Sequence, residues 1–373
     1  MNQRKSRIAW LIAVLAAVSL IAAACGDDDG DSADTGSEAG GGAAGDLSGV
    51  LVGAGASSQA AAMAGWQAGF QDQHPEVTVE YDPVGSGGGR ETFTAGGSDF
   101  AGSDGLLDDE EYAASVDTCA GDQGAIHLPM YISPVAVAFN LPGIDTLNLT
   151  PEALAGIFAG EITEWTDEAI ADDNPDADLP DLAINAVHRS DESGTTENFT
   201  DYLAAVVPDV WTFGKVKTWP IDSGEGAAQT SGVIAAITAG EGSIGYADAS
   251  QVGSLGTVAI GVGGEFVEYS PEAAASLVSV SERVQGRSDY DLGFELTRDT
   301  EEAGVYPIAL VSYHIVCLQY EDAATAELVK AFMTFVSSEE GQNAAAASAG
   351  SAPITDDLRS QIQESIAQIS AGS

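Results

Sequence analysis

Four polar turns hold the residues of this chain best suited to grip a small anion. They are Gly55-Ala56-Ser57-Ser58, Gly85-Ser86-Gly87, Ser103-Asp104, and Arg189 with Ser193-Gly194-Thr195. Each follows a stretch that reads as a strand and lies at or near a helix start. The first backbone N–H groups of a helix have no intrahelical partner, and the dipole there favours negative charge. Serine and threonine hydroxyls add donors, and glycine lets backbone approach an anion closely. Several such turns brought together offer many donors and little net charge, which suits reversible binding of a small oxyanion. Taken singly, Ser57, Ser58, Ser193 and Thr195 each also fit an ordinary N-cap, and Gly85–Gly89 an ordinary turn. The ordered set carries the reading.

Arg189 and Asp104 sharpen the chemistry. Arginine presents a planar fork of donors that fits a tetrahedral oxyanion. Asp104 repels an anion unless the ligand brings a proton for the carboxylate to accept. Phosphate carries an O–H near neutral pH and sulfate carries none, so a buried Asp104 selects by repulsion, at several kcal/mol. Asp191, two residues from Arg189, is placed to pair with the guanidinium and hold it.

Rival chemistries find less support. There is no G-x-S-x-G nucleophile elbow and no carboxylate–histidine metal cluster. His74, His127, His188 and His314 are scattered without ligand spacing and read as structural. Gly53-Ala54-Gly55 imitates the start of a dinucleotide fingerprint, but Ser58 occupies the third-glycine position. The chain therefore reads as a binder and not an enzyme, with no cofactor and no metal. A binder of sulfate or molybdate, a surface phosphate sensor and, more remotely, a secreted phosphatase are the alternatives.

The elements that must position these turns alternate in type. Leu47–Val52 reads as a strand, and a helix starts at Gln59 with Met63, Trp66 and Phe70 on one face. Val77–Tyr81 alternates as a strand, a helical stretch holds Phe93, and Ser98–Asp104 is a strand ending in a polar loop. Met130–Asn140 and residues 306–320 are apolar, strand-like runs. Helices are expected over Pro151–Phe158, Thr196–Val206, Gly232–Thr238, Thr325–Phe335 and Thr355–Ile369, and strands over Ile184–His188 and Ser243–Tyr246. This alternation is an α/β pattern.

The first residues read as an export signal. Arg4, Lys5 and Arg7 precede an apolar run from Ile8 to Ala24, and small residues lead to Cys25. Either Cys25 is the lipidated first residue of the mature protein or the run is a retained membrane anchor; both place the body outside the cytoplasm. Residues 26–46, rich in Gly, Asp and Ser, form a flexible acidic tether. The formal charge is −46, and losing Arg4, Lys5 and Arg7 makes it more negative by three. Such a surface repels nucleic acid and anionic lipid. Capture of an anion must then rely on short-range hydrogen bonds and depend only modestly on salt. With Cys25 lipidated, Cys119 and Cys317 remain, as a disulfide outside the cytoplasm or as two buried thiols.

One family shows these features in this order. GAGASS (53–58), VGSGGG (84–89), DFAGSD (99–104), FNLPGI (139–144), GEITEW (160–165), RSDESGT (189–195) and SIGYAD (243–248) span most of the body. Through them the chain resembles the phosphate-binding proteins of high-affinity phosphate ABC importers. The resemblance implies an α/β, two-lobe type II periplasmic-binding-protein fold with a two-strand hinge. It implies phosphate held by Ser57, Ser58, Ser86, Asp104, Arg189, Ser193, Gly194 and Thr195, with permease and ATPase subunits as partners of a monomer anchored to the outer face of the membrane. Lobe I would comprise 47–130 and 309–373, and lobe II 131–308. Cys119 and Cys317 would both lie in lobe I, where a disulfide leaves hinge closure free. The family often has an aromatic residue where this chain has Ser58, a change that a backbone N–H contact survives. It commonly has glycine at the position of Glu192, an acid that weakens binding unless it points to solvent.

Overall fold

A computed structural model describes residues 47–284 and 287–372. The expected export signal with Cys25 and the expected tether lie outside the described residues. The chain opens as β1 (Gly49–Gly55), α1 (Ala60–Gln73), β2 (Val77–Asp82), α2 (Ser86–Thr94), β3 (Phe100–Ser103) and α3 (Asp109–Thr118). The long strand β4 (Ala125–Phe139) follows. Next come β5 (Thr146–Leu149), α4 (Pro151–Ala159), α5 (Glu168–Asp173), β6 (Asn185–Arg189), α6 (Gly194–Val206), β7 (Glu225–Ala227), α7 (Gln229–Ala239) and β8 (Ser243–Asp248). Then β9 (Gly256–Val262), β10 (Glu265–Val267), α8 (Pro271–Ser279), β11 (Glu282–Arg283) and β12 (Phe294–Glu295) lead to β13 (Ala309–Cys317). The chain closes with β14 (Gln319–Tyr320), α9 (Ala323–Ser337), α10 (Glu339–Ala349), α11 (Asp356–Ala367) and β15 (Ser370–Ala371).

An 11-stranded mixed sheet organises these elements, with the path β2-β1-β3-β13-β4-β8-β6-β7 and with β5, β9 and β10 joined through β9. Strands β1, β2 and β3 are parallel, as are β6, β7 and β8. Between these groups run β13 and β4, antiparallel to each other. Nine of the first ten residues of β4 pair with β13, Ala125 against Cys317 through Pro134 against Ala309, with Met130 skipped at a bulge opposite Ser312 and Tyr313. Its last five pair with β8, Val135 against Asp248 through Phe139 against Ile244. The main chain thus passes between the two parallel groups on β4 and returns immediately before β13. Every residue of both strands is buried, and their near-continuous apolar sequences suit burial on both faces.

Each parallel group has its own aromatic packing. In the first, Trp66 meets Tyr131 and His314 edge-on, and Phe70 packs on Phe332 and Phe335 of α9. Met63, Trp66 and Phe70 fall on one stripe of α1, as the spacing predicts, and all are buried. In the second, Phe199 stacks on Tyr246 and Phe158 meets both. The segment after β11 leans back on the first group: Leu292 N–H donates to His127 O, and Asp291 pairs with His127. Cys119 and Cys317 are joined as a disulfide with Cα atoms 5.4 Å apart.

The expected helices form, some longer than the sequence suggests: α9 runs over Ala323–Ser337 and α7 begins at Gln229. Sequence reading missed α10, whose Ala-rich GQNAAAASA lacks a stripe of large apolar residues. It forms because Ser338 caps it and Ala345 and Ala349 are buried.

Candidate functional site

The four polar turns meet where β1, β3 and β6 end. Ser57 and Ser58 follow β1, Ser86 is the first residue of α2, Asp104 follows β3, and Arg189 closes β6. Ser193 caps α6, its Oγ accepting from Thr196 N–H at 3.1 Å, so Gly194 and Thr195 form the first turn of that helix. The expected ligand set is therefore brought together, and every member is buried.

Asp104 lies at the centre, 4% exposed. Its Oδ1 accepts from Ser58 Oγ at 2.7 Å and from Ser312 Oγ at 2.7 Å. Its Oδ2 accepts from Thr195 Oγ1 at 3.2 Å. An ionised carboxylate has about four acceptor positions; three are filled, leaving one on Oδ2. Burial raises the Asp104 pKa, while Ser312, Ser58, Thr195 and the Arg189 charge pull it back. Ser86 Oγ accepts from the Asp104 N–H at 3.1 Å.

Arg189 is also buried, and Asp191 grips it. The guanidinium Nε donates to Asp191 Oδ1 at 2.7 Å and Nη2 donates to Oδ2. Burial opposes ionisation of Asp191, but the guanidinium and the Gln229 N–H, 3.0 Å away, hold the carboxyl below its usual range. This fork occupies the Nε and Nη2 edge and leaves the Nη1 donors outside the pair. The expected pairing of Asp191 with Arg189 is present.

Two glycines make the convergence possible. A Cβ on Gly194 would lie 2.5 Å from Ser86 Oγ and 2.7 Å from Asp104 Cβ, so any larger residue forces the α6 and α2 turns apart. Gly85, at φ +96°, would place a Cβ 2.6 Å from Asp191 Oδ2.

Contacts also bridge the two sides directly. Ser57 Oγ meets Thr230 at the start of α7, accepting from its N–H at 3.1 Å and lying 3.1 Å from its Oγ1. Gln251 Nε2 donates to Ser57 O at 3.0 Å, and Asn198 Nδ2 donates to Asp104 O at 2.8 Å. Glu192 does not simply face solvent. It pairs with Arg90 of α2 at 2.6 Å, and Arg90 also holds Glu111 at 2.8 Å and Ser103. Ser58 departs from the aromatic residue of the family pattern by bonding to Asp104 through its hydroxyl.

Sequence reading missed Ser312, Gln59, Thr230 and Arg90. Ser312 and His314 break the apolar run of β13 on one face at period two, a signal present in the sequence. Thr230 and Arg90 have no such mark, because only the tertiary fold sets Thr230 of α7 against Ser57 and Arg90 of α2 against Glu192. Among the described residues no group of His, Cys, Asp and Glu side chains is arranged to hold a metal.

A family model described as a PBP superfamily domain matches residues 33–340. The chain is 34% identical over 375 residues to phosphate-binding protein PstS 3 of Mycobacterium tuberculosis (strain ATCC 25618 / H37Rv), covering 97% of this chain and 98% of the relative. It is 37% identical over 297 residues to phosphate-binding protein PstS 3 of Mycobacterium leprae (strain TN), covering 77% and 78%. A phosphate-bound structure of the high-affinity periplasmic phosphate-binding protein PfluDING superposes with a TM-score of 0.67 at 21% identity, over 84% of this chain and 93% of that one. An ancestral soluble variant of the human phosphate-binding protein superposes with a TM-score of 0.66 at 22% identity, over 85% and 93%. These structures share the α/β type II binding-protein fold. Fold and site thus define a member of the PBP superfamily. Within it, the chain belongs to the PstS family of phosphate-binding proteins.

Proposed function

We propose that this protein captures inorganic phosphate outside the cytoplasm and delivers it to an ABC importer. The observation that carries the reading is Asp104, a buried carboxylate with three hydroxyl donors and one acceptor position left on Oδ2. That position suits the O–H of a protonated oxyanion. Around it, Arg189 supplies charge and the first N–H groups of α2 and α6 supply donors. Ser57, Ser58, Ser86, Asp104, Arg189, Ser193, Gly194 and Thr195 form the proposed ligand set, with Asp191 holding Arg189.

The proposed cycle is binding without chemistry. Residues 47–130 with 309–373 act as one lobe and 131–308 as the other, joined where β4 and the segment before β13 cross. Phosphate bridges Asp104 and the serines on one side and Arg189, Ser193 and Thr195 on the other, and thereby favours the closed form. Permease and ATPase subunits read that form. Cys25 carries the lipid that holds the monomer on the outer face of the membrane, and residues 26–46 tether it.

Isothermal titration with phosphate and with sulfate tests the reading. Phosphate is expected to bind one-to-one and sulfate far more weakly. Equal affinity for the two would overturn phosphate selectivity, and turnover of a phosphate ester by the pure protein would restore the enzyme alternative.

A further inference from the structure

Behind Asp104 runs a buried line of hydrogen bonds that ends at an aromatic box. Ser312 Oγ donates to Asp104 Oδ1 at 2.7 Å. Gln59 Nε2 donates to Ser312 Oγ at 3.1 Å. Gln59 Oε1 lies 3.0 Å from His314 Nε2. Gln59, Ser312 and His314 are all fully buried. His314 is fixed by Trp66 and Phe100, each at 5.3 Å, and by Phe332, which stacks on it at 6.3 Å.

The polarity of this line follows from which groups can give a proton. An ionised carboxylate only accepts, so the single Ser312 proton points to Oδ1. The Ser312 lone pair then takes an amide N–H of Gln59. The Gln59 carbonyl oxygen can only accept, so His314 must carry its proton on Nε2. Burial pushes His314 down to about 3, so the ring is neutral and has one proton to give. The reverse polarity, with the proton on Nδ1 toward Met333 Sδ at 3.2 Å, turns every bond around. It needs a proton on Asp104 Oδ1, and a neutral Asp104 no longer repels sulfate.

We propose that His314, Gln59 and Ser312 are positioning residues for anion selectivity: they lock Asp104 Oδ1 as an acceptor and leave Oδ2 as the place for a ligand O–H. This proposal rests on the phosphate-capture reading above and adds to it three buried residues that act through Asp104. Ser58 is the second donor to Oδ1, but its hydroxyl has no such line behind it to fix its direction.

Titration of the wild type, Ser312→Ala and Ser312→Thr with inorganic phosphate and with sulfate tests the proposal. Ser312→Ala is expected to lower the preference for phosphate over sulfate by roughly tenfold or more, the scale of one hydrogen bond to a charged group. Ser312→Thr, which keeps the hydroxyl, restores the preference. A mere packing defect lowers both affinities in step and leaves their ratio unchanged, and that result overturns the proposal. The tautomer gives a second test that needs no variant. Nitrogen chemical shifts of His314 in the phosphate-loaded wild type are expected to show the proton on Nε2, and a proton on Nδ1 would contradict the relay. A wild type without preference for phosphate would sink the capture reading and the relay together, whereas a selective wild type beside an equally selective Ser312→Ala sinks the relay alone.

Discussion

Asp104 brings a negative charge to a site that must hold an anion, and its neighbours decide what that charge does. Three hydroxyls hold it as an acceptor while burial resists its ionisation. Asp104→Asn removes the repulsion and offers an amide donor instead. Titration is expected to show tighter sulfate binding and weaker phosphate binding, with the preference falling by roughly 100-fold. Asp248 shows the same physics without a ligand. It is fully buried at the end of β8, and Tyr131 OH donates to its Oδ1 at 3.0 Å while Oδ2 has no partner among the described residues. Burial pushes its pKa from 3.8 to about 6 against the hydrogen bonds of Ser250, Ser133 and Tyr131. A carboxyl raised in the folded state gives its full stabilisation below its unfolded value and loses it as pH rises through the folded one. Relative to Asp248→Asn, the wild type should therefore lose about 2 kcal/mol of stability between pH 4 and 7. Denaturant unfolding across that window checks this, and parallel pH profiles would refute it.

The elements matter through their ends. The starts of α2 and α6 meet beside Asp104, and α7 reaches the site through Thr230, which bonds to Ser57. The Arg90–Glu192 pair ties α2 to the loop between β6 and α6. Glu192 side chain is 46% exposed, so the pair is solvent-screened and its effect modest. Glu192→Gln is expected to speed phosphate release several-fold in stopped-flow displacement, with a smaller change in capture rate. Slower release would show that repulsion of the anion by Glu192 outweighs its tie to Arg90. Much of this level was legible in the sequence. Strand-then-turn spacing located Ser57, Ser86, Asp104 and Ser193, because backbone donors at helix starts leave a local mark. Gln59 and Ser312 were not found, because their roles depend on β13 lying beside β3, a pairing between residues some two hundred positions apart. Arg90 gave no sign of its partners because Glu192 lies 102 positions away, on the loop between β6 and α6. Helix α10 escaped because small residues pack closely without an apolar stripe.

At the scale of the whole molecule, the large negative charge opposes the proposed ligand. Arg90, Arg189 and Arg298, three of the few cations, are buried in polar networks near the site. Arg298 donates to Asn198, Asp201, Pro307 O and Ala309 O, so it braces α6 against the strand that crosses between the two groups. Binding through buried donors is screened little by salt. Phosphate affinity is expected to change less than about threefold between roughly 50 and 500 mM salt, and a steep loss of affinity would mean that a diffuse field does the capturing. Protonated phosphate is expected to sit among the polar turns around Asp104. A crystal structure grown with phosphate tests it most directly. Phosphate is expected at this site, with one oxygen at hydrogen-bond distance from Asp104 Oδ2 and others on Arg189 and the first turns of α2 and α6. Phosphate bound elsewhere, or held here with no contact to Asp104, would contradict it.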